Sequence, residues 1–106
     1  MTYLDLLALE IRRAVSAYAL PDERASDLFL SYAVLLLAKG ERVSEEDVHN
    51  AWVAWMESKG ETHEAMVPFD ELTPEKRAED APFVQAIRSV ARRSSAKRPV
   101  RPAPDP

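Results

Sequence analysis

The chain contains no cysteine. Disulfide frameworks and thiolate zinc sites are therefore excluded, and a reducing compartment is the expected setting. Only two glycines, Gly40 and Gly60, occur in 106 residues. Phosphate-cradling loops of the GxxxxGK or GxGxxG type cannot be built from so few. The two histidines, His49 and His63, stand at no HxxxH or HExxH spacing. The acidic runs Glu45-Glu46-Asp47 and Glu75 to Asp80 lack the alternating ligands and turn glycine of a calcium loop. The longest apolar stretch, Ala33 to Ala38, is too short to span a bilayer. The opening MTYLDLLALEIRR carries acids inside its apolar run with no cationic region before it, so it reads as a helix and not as a signal peptide. We expect a cytoplasmic, non-enzymatic protein with no metal, no cofactor and no membrane association.

What is present is an ordinary globular composition of a length suited to one domain. Charge is unevenly placed. Residues 1–87 hold 8 basic and 17 acidic side chains (net −9), and residues 88–106 hold 6 basic and 1 acidic (net +5). Such a division can mark an acidic body with a basic arm for polyanions. Its plainer cause is the gathering of cations at a helix C-terminus, where the macrodipole favours them.

The periodicity is helical throughout. Thr2 and Asp5 form a capping-box signature, followed by Leu4, Leu7, Ile11, Val15 and Tyr18 at spacings of three and four. Pro21 and Asp22 suit the first turn of a second helix that runs to Lys39, with Gly40 as a left-handed stop. That helix shows two apolar faces: Ala25, Leu28, Phe29, Tyr32 and Leu36 on one, and Leu30, Val34 and Leu37 on the other. This predicts a central position in a bundle. Ser44 with Asp47 starts a third helix, which carries Val48, Ala51, Trp52, Trp55 and Met56 and stops at Gly60. Residues 61–72 have no clean period and read as an ordered, non-helical connector docked through Met66, Val67, Phe69 and Leu72. Thr73-Pro74-Glu75 begins a short helix. Asp80 caps a last one with Phe83, Ile87, Val90 and Ala91 turned inward. From Ser94 the chain is basic and proline-rich and is expected to be disordered. The expected fold is all-α: a compact bundle of four to five helices in residues 1–93. Its first two helices would pack on the tryptophan helix, followed by a flexible tail at 94–106.

Several pieces of the block from Val48 to Ile87 stand out: Val48-His49 and Trp52, then His63, Val67-Pro68-Phe69 and Leu72, then Pro74-Glu75, Asp80, Val84 and Ile87. In these the chain resembles the RyR domain, the helical module of ryanodine receptors that also occurs alone in bacterial and phage proteins. Glu64 and Ala81 stand where that family usually has a proline and a basic residue. The resemblance implies a regulatory module that contacts nucleotides or proteins. Its expected binding residues are Trp52, Trp55, Lys59, His63, Pro68 and Phe69. Each also has a plainer structural role. Tryptophans three apart form a core stripe, a connector histidine fixes a turn, and proline with phenylalanine holds the connector down.

The expected partner is an unidentified protein or a small nucleotide-like ligand. One alternative is a homo-oligomerising or protein-binding helical domain without a small ligand. A second is nucleic-acid contact through Arg92, Arg93, Lys97, Arg98 and Arg101. The acidic body and the lack of aromatics in the tail weigh against that second alternative.

Overall fold

Both capping boxes close as the sequence predicts. Thr2 Oγ1 accepts from the Asp5 backbone N–H, and the Asp5 carboxylate accepts from the Thr2 N–H at 2.8 Å. These bonds start α1, Tyr3–Ala14. Ser44 and Asp47 make the same reciprocal pair at 2.9 and 3.2 Å and start α3, Glu45–Ser58. Two backbone donors that would be left orphaned at each helix start are thereby satisfied. The computed structural model describes residues 2–15 and 26–97, with side chains to residue 93. Tyr18, Leu20, Pro21, Asp22 and Ala25 lie outside these residues, as does the expected tail from Arg98 onward.

Between the two capped helices runs α2, Ser26–Lys39. It ends in a 3-10 turn at Gly40–Arg42, and Gly40 at φ 56° provides the left-handed residue that breaks the helix. Gly60, at φ 71°, does the same after α3. Then come a second 3-10 turn at Phe69–Glu71, α4 at Pro74–Ala78 and α5 at Ala81–Lys97. No strand occurs among the described residues. The fold is an all-α helical bundle.

Three details differ from the sequence expectation. The connector is not wholly non-helical, because Pro68 fixes an extended backbone and the chain turns tightly just after it. α5 continues to Lys97, four residues past the expected end at 93, since nothing from Ser94 to Lys97 breaks a helix. α1 packs chiefly against α2 and α5, and of the first two helices it is α2 that packs extensively against α3.

The core gathers one face from each long helix. Ile11 and Val15 meet Leu28, Phe29, Tyr32, Ala33 and Leu36 of α2, then Val48 of α3 and Val84, Ile87 and Val90 of α5. Phe29 and Tyr32 are both almost fully buried and meet edge to face at 5.5 Å between centroids, a geometry the ring quadrupoles favour. The second apolar face of α2 is only partly buried: Leu30 packs against the core, while Val34 is 54% and Leu37 45% exposed.

Two side chains fasten the elbow between α2 and α3. Arg88 donates through Nε and a terminal nitrogen to the Val43 carbonyl, at 3.0 and 2.7 Å. Lys39 pairs with Asp47 at 2.7 Å. Partial burial pushes the Asp47 carboxyl up, but the Lys39 ammonium and the Ser44 donors outweigh it, and the net shift is downward.

Candidate functional site

The connector reaches α3 through a histidine. His49 is 2% exposed, the one buried polar residue among the described side chains. Its Nε2 lies 2.7 Å from the Val67 carbonyl oxygen. A carbonyl only accepts, so Nε2 carries a proton and donates it to Val67. The same ring sits 5.9 Å from Trp52 and 6.1 Å from Phe69, centroid to centroid. Residues 67–69 therefore fold back onto the N-terminal half of α3. Arg77 of α4 clamps the turn from the other side. Its guanidinium lies 5.1 Å from the Phe69 centroid and donates to the carbonyls of Phe69 and Asp70 at 3.3 and 2.8 Å.

This fold-back leaves a cleft of about 270 Å³ between α2, α3, the connector and the start of α5. Trp52, Trp55, Tyr32 and Phe83 give it aromatic walls, and His49 and Asp80 add polar groups. Lys76 and Glu79 stand in the lining as a pair, 3.7 Å apart. His63 completes the wall edge-on to Trp52 at 5.5 Å, with its Nδ1 accepting from the Ala65 N–H at 3.0 Å. Burial pushes the Asp80 carboxyl up to about 6. The His49 ring opposes this, and the charges of Glu45 and Glu79 add to it. Tyr32 is pushed well up by burial and by Asp80, so its phenol stays protonated. The indole Nε1 of Trp55 is buried without a hydrogen-bond partner.

Of the residues singled out in the sequence, Trp52, Trp55 and His63 line the cleft. Lys59 does not line it; its ammonium rests 4.9 Å from the Trp55 centroid. Pro68 is exposed and precedes the 3-10 turn, while Phe69 is half-buried beneath Arg77. Phe69 and Pro68 thus position the connector instead of facing the cleft. Sequence reasoning missed Tyr32, His49, Asp80 and Phe83. Tyr32 and Phe83 carry helical core spacing, Asp80 reads as a cap, and no spacing signal marks His49 as their neighbour.

Among the basic residues of the nucleic-acid alternative, Arg92 holds Glu41 at 3.1 Å. Arg93 shares a shallow recess with Glu10 and Arg13. The side chain of Lys97, and Arg98 and Arg101, lie outside the described residues. A further groove of about 380 Å³ between α1 and α2 is bounded by Ser26, where the described chain resumes. Among the described residues no helix is long and apolar enough to cross a membrane, and no three His, Asp or Glu side chains are grouped to hold a metal ion.

The profile of the family described as Domain of unknown function (DUF7701) matches residues 2–92. The chain belongs to this family. That match runs from the cap of α1 through most of α5, whereas the resemblance to the RyR domain rested on residues 48–87 alone. No RyR domain is found in the chain, and that reading is corrected. Its tryptophan and apolar positions are those any amphipathic helix shows, and its proline-aromatic run is a means of fixing a tight turn. No curated protein and no solved structure matches the DUF7701 domain described here.

Proposed function

We propose that this DUF7701 domain is a non-enzymatic binding module whose cleft receives a small ligand or a single protruding head group. One observation carries the reading: a recess walled by Tyr32, Trp52, Trp55 and Phe83 with polar His49 and Asp80 in its lining. Aromatic walls with a few convergent polar groups are the usual chemistry of ligand sites. At about 270 Å³ the space falls just below the roughly 300–1,000 Å³ of typical small-molecule pockets. A compact group suits it better than a whole nucleotide. Binding is favoured over catalysis because only Asp80 among the acidic and basic side chains of the lining stands uncommitted, with no free second group of that kind beside it for acid–base work. His49 donates to Val67, and Lys76 pairs with Glu79. A cytoplasmic location fits the absence of cysteine.

A thermal-shift screen of amines, carboxylic acids, nucleobases and sugars tests the proposal. A ligand at 100 times its Kd stabilises the folded state by about 2.7 kcal/mol, about ten degrees in Tm for a domain of this size. If no class shifts Tm or the emission of the two tryptophans, the reading fails.

A second reading, a protein-binding or self-associating domain, is favoured by the exposed apolar side chains of α1 and α2. Tyr3 is 66%, Leu6 55% and Val34 54% exposed. Light scattering across a concentration series decides it: a constant monomer mass to millimolar concentration would dispose of self-association.

A further inference from the structure

The groups facing the cleft define what charge it accepts. Lys76 and Glu79 offset each other at 3.7 Å. His63 presents Nδ1 to the Ala65 N–H and so holds no proton there. His49 spends its Nε2 proton on Val67. The Tyr32 phenol is protonated and neutral. Asp80 remains, half-buried, with no side-chain hydrogen bond or ion pair among the described residues, and with Glu45 of α3 as a further nearby negative charge. A carboxylate drawn part-way out of water is costly; burial is the first cause of its upward shift, and the nearby His49 ring only partly offsets it. Four aromatic rings line the same cleft, and the face of an aromatic ring attracts cations. The chain pairs cations with rings: Arg12 lies 5.4 Å from the Phe29 centroid, and Lys59 rests 4.9 Å from the centroid of Trp55, a ring of the cleft itself. The net charge of −9 over residues 1–87 would draw cations toward the molecule.

We infer that the cleft is a receptor for an organic cation, an alkylated or methylated ammonium seated against the half-buried rings of Trp52, Trp55 and Phe83 with Asp80 as counter-ion. This rests on the binding reading above and names its ligand class. A compact tetrahedral cation suits the small volume. Its weak hydration lowers the cost of entering an aromatic recess, and the ring faces and the carboxylate both stabilise its charge. Because the carboxylate must be ionised, binding weakens as pH falls through the Asp80 range. The charged groups that set that range are His49, Glu45 and Glu79; Lys76 and the Tyr32 phenol share the same lining.

The test is a fluorescence titration, since the only two tryptophans of the chain both line the cleft. The probes are choline, its uncharged isostere 3,3-dimethylbutan-1-ol, inorganic phosphate and adenine, with a short peptide bearing one trimethylated lysine as a second source of the same head group. Saturable quenching by choline is expected at pH 7.5, with the alcohol about tenfold weaker. Affinity for choline should fall on going to pH 5. Asp80→Asn should cost choline about tenfold while leaving the alcohol unchanged. Asparagine matches aspartate at the position preceding a helix, so this variant keeps the start of α5. Tighter binding of the peptide than of choline would assign the head group to a chain, and the reverse to a free amine. Equal binding of choline and the alcohol, or binding of phosphate or adenine alone, would overturn the cation assignment while leaving a binding cleft. Silence from every probe, together with an empty thermal-shift screen, would remove both.

Discussion

Replacing His49 with alanine should loosen the connector and cost the fold about 3–4 kcal/mol. The magnitude follows from two losses. The Val67 carbonyl, which receives the Nε2 proton at 2.7 Å, would be left without its partner, a cost of about 1–3 kcal/mol for a buried group. The ring is 2% exposed and lies within about 6 Å of both Trp52 and Phe69. Removing such a side chain leaves a cavity in the range of large-to-small core changes, about 2–5 kcal/mol. The two share one site and do not simply add. Urea unfolding followed by tryptophan emission measures the loss, and amide exchange at residues 65–72 reports the connector separately. Glutamine at the same position keeps a donor and should recover about 1 kcal/mol. A His49→Ala midpoint within about 0.5 kcal/mol of the parent, with exchange at 65–72 unchanged, would refute this anchoring role.

Two further outcomes follow from the same geometry. Arg88→Met removes both donors to the Val43 carbonyl and should lower stability by about 1.5–3 kcal/mol, the range for charged hydrogen bonds, as read by calorimetry; no change would mean that water replaces the guanidinium freely. Asp80, raised from 3.8 to about 6 in the folded protein, lets the folded state hold a proton that the unfolded chain has released across that window, so stability falls as pH rises through it; Asp80→Asn should therefore raise Tm at pH 7.5 and leave it nearly unchanged at pH 3.5, whereas a variant less stable at neutral pH would reverse the sign.

Helix starts were legible in the sequence because they are local. Thr2-Asp5, Ser44-Asp47 and Thr73-Pro74 each satisfy their own first turn, and no distant partner is needed to recognise them. The left-handed stops at Gly40 and Gly60 are legible for the same reason. Helix pairing was not. Leu30, Val34 and Leu37 are as apolar as the residues opposite, yet Leu30 packs on the core while Val34 and Leu37 stay open to solvent. The candidate site was half visible. Trp52, Trp55 and His63 lie close in sequence and share the cleft. Tyr32 and Asp80 reach it from elements far apart in the chain, and a buried histidine cannot be told from an exposed one by spacing. Similarity confined to residues 48–87 misled for a related reason: a turn held by proline and a phenylalanine is a solution many folds reach independently.

The packing of α1 on α5 has a consequence for how the protein is made. α1 is translated about 70 residues ahead of α5, and synthesis at roughly 5–20 residues per second makes that an interval of several seconds. Until α5 emerges, the side of α1 that packs against it has no α5 to cover it. A nascent chain at that stage carries an open greasy flank, which the arrival of α5 shuts.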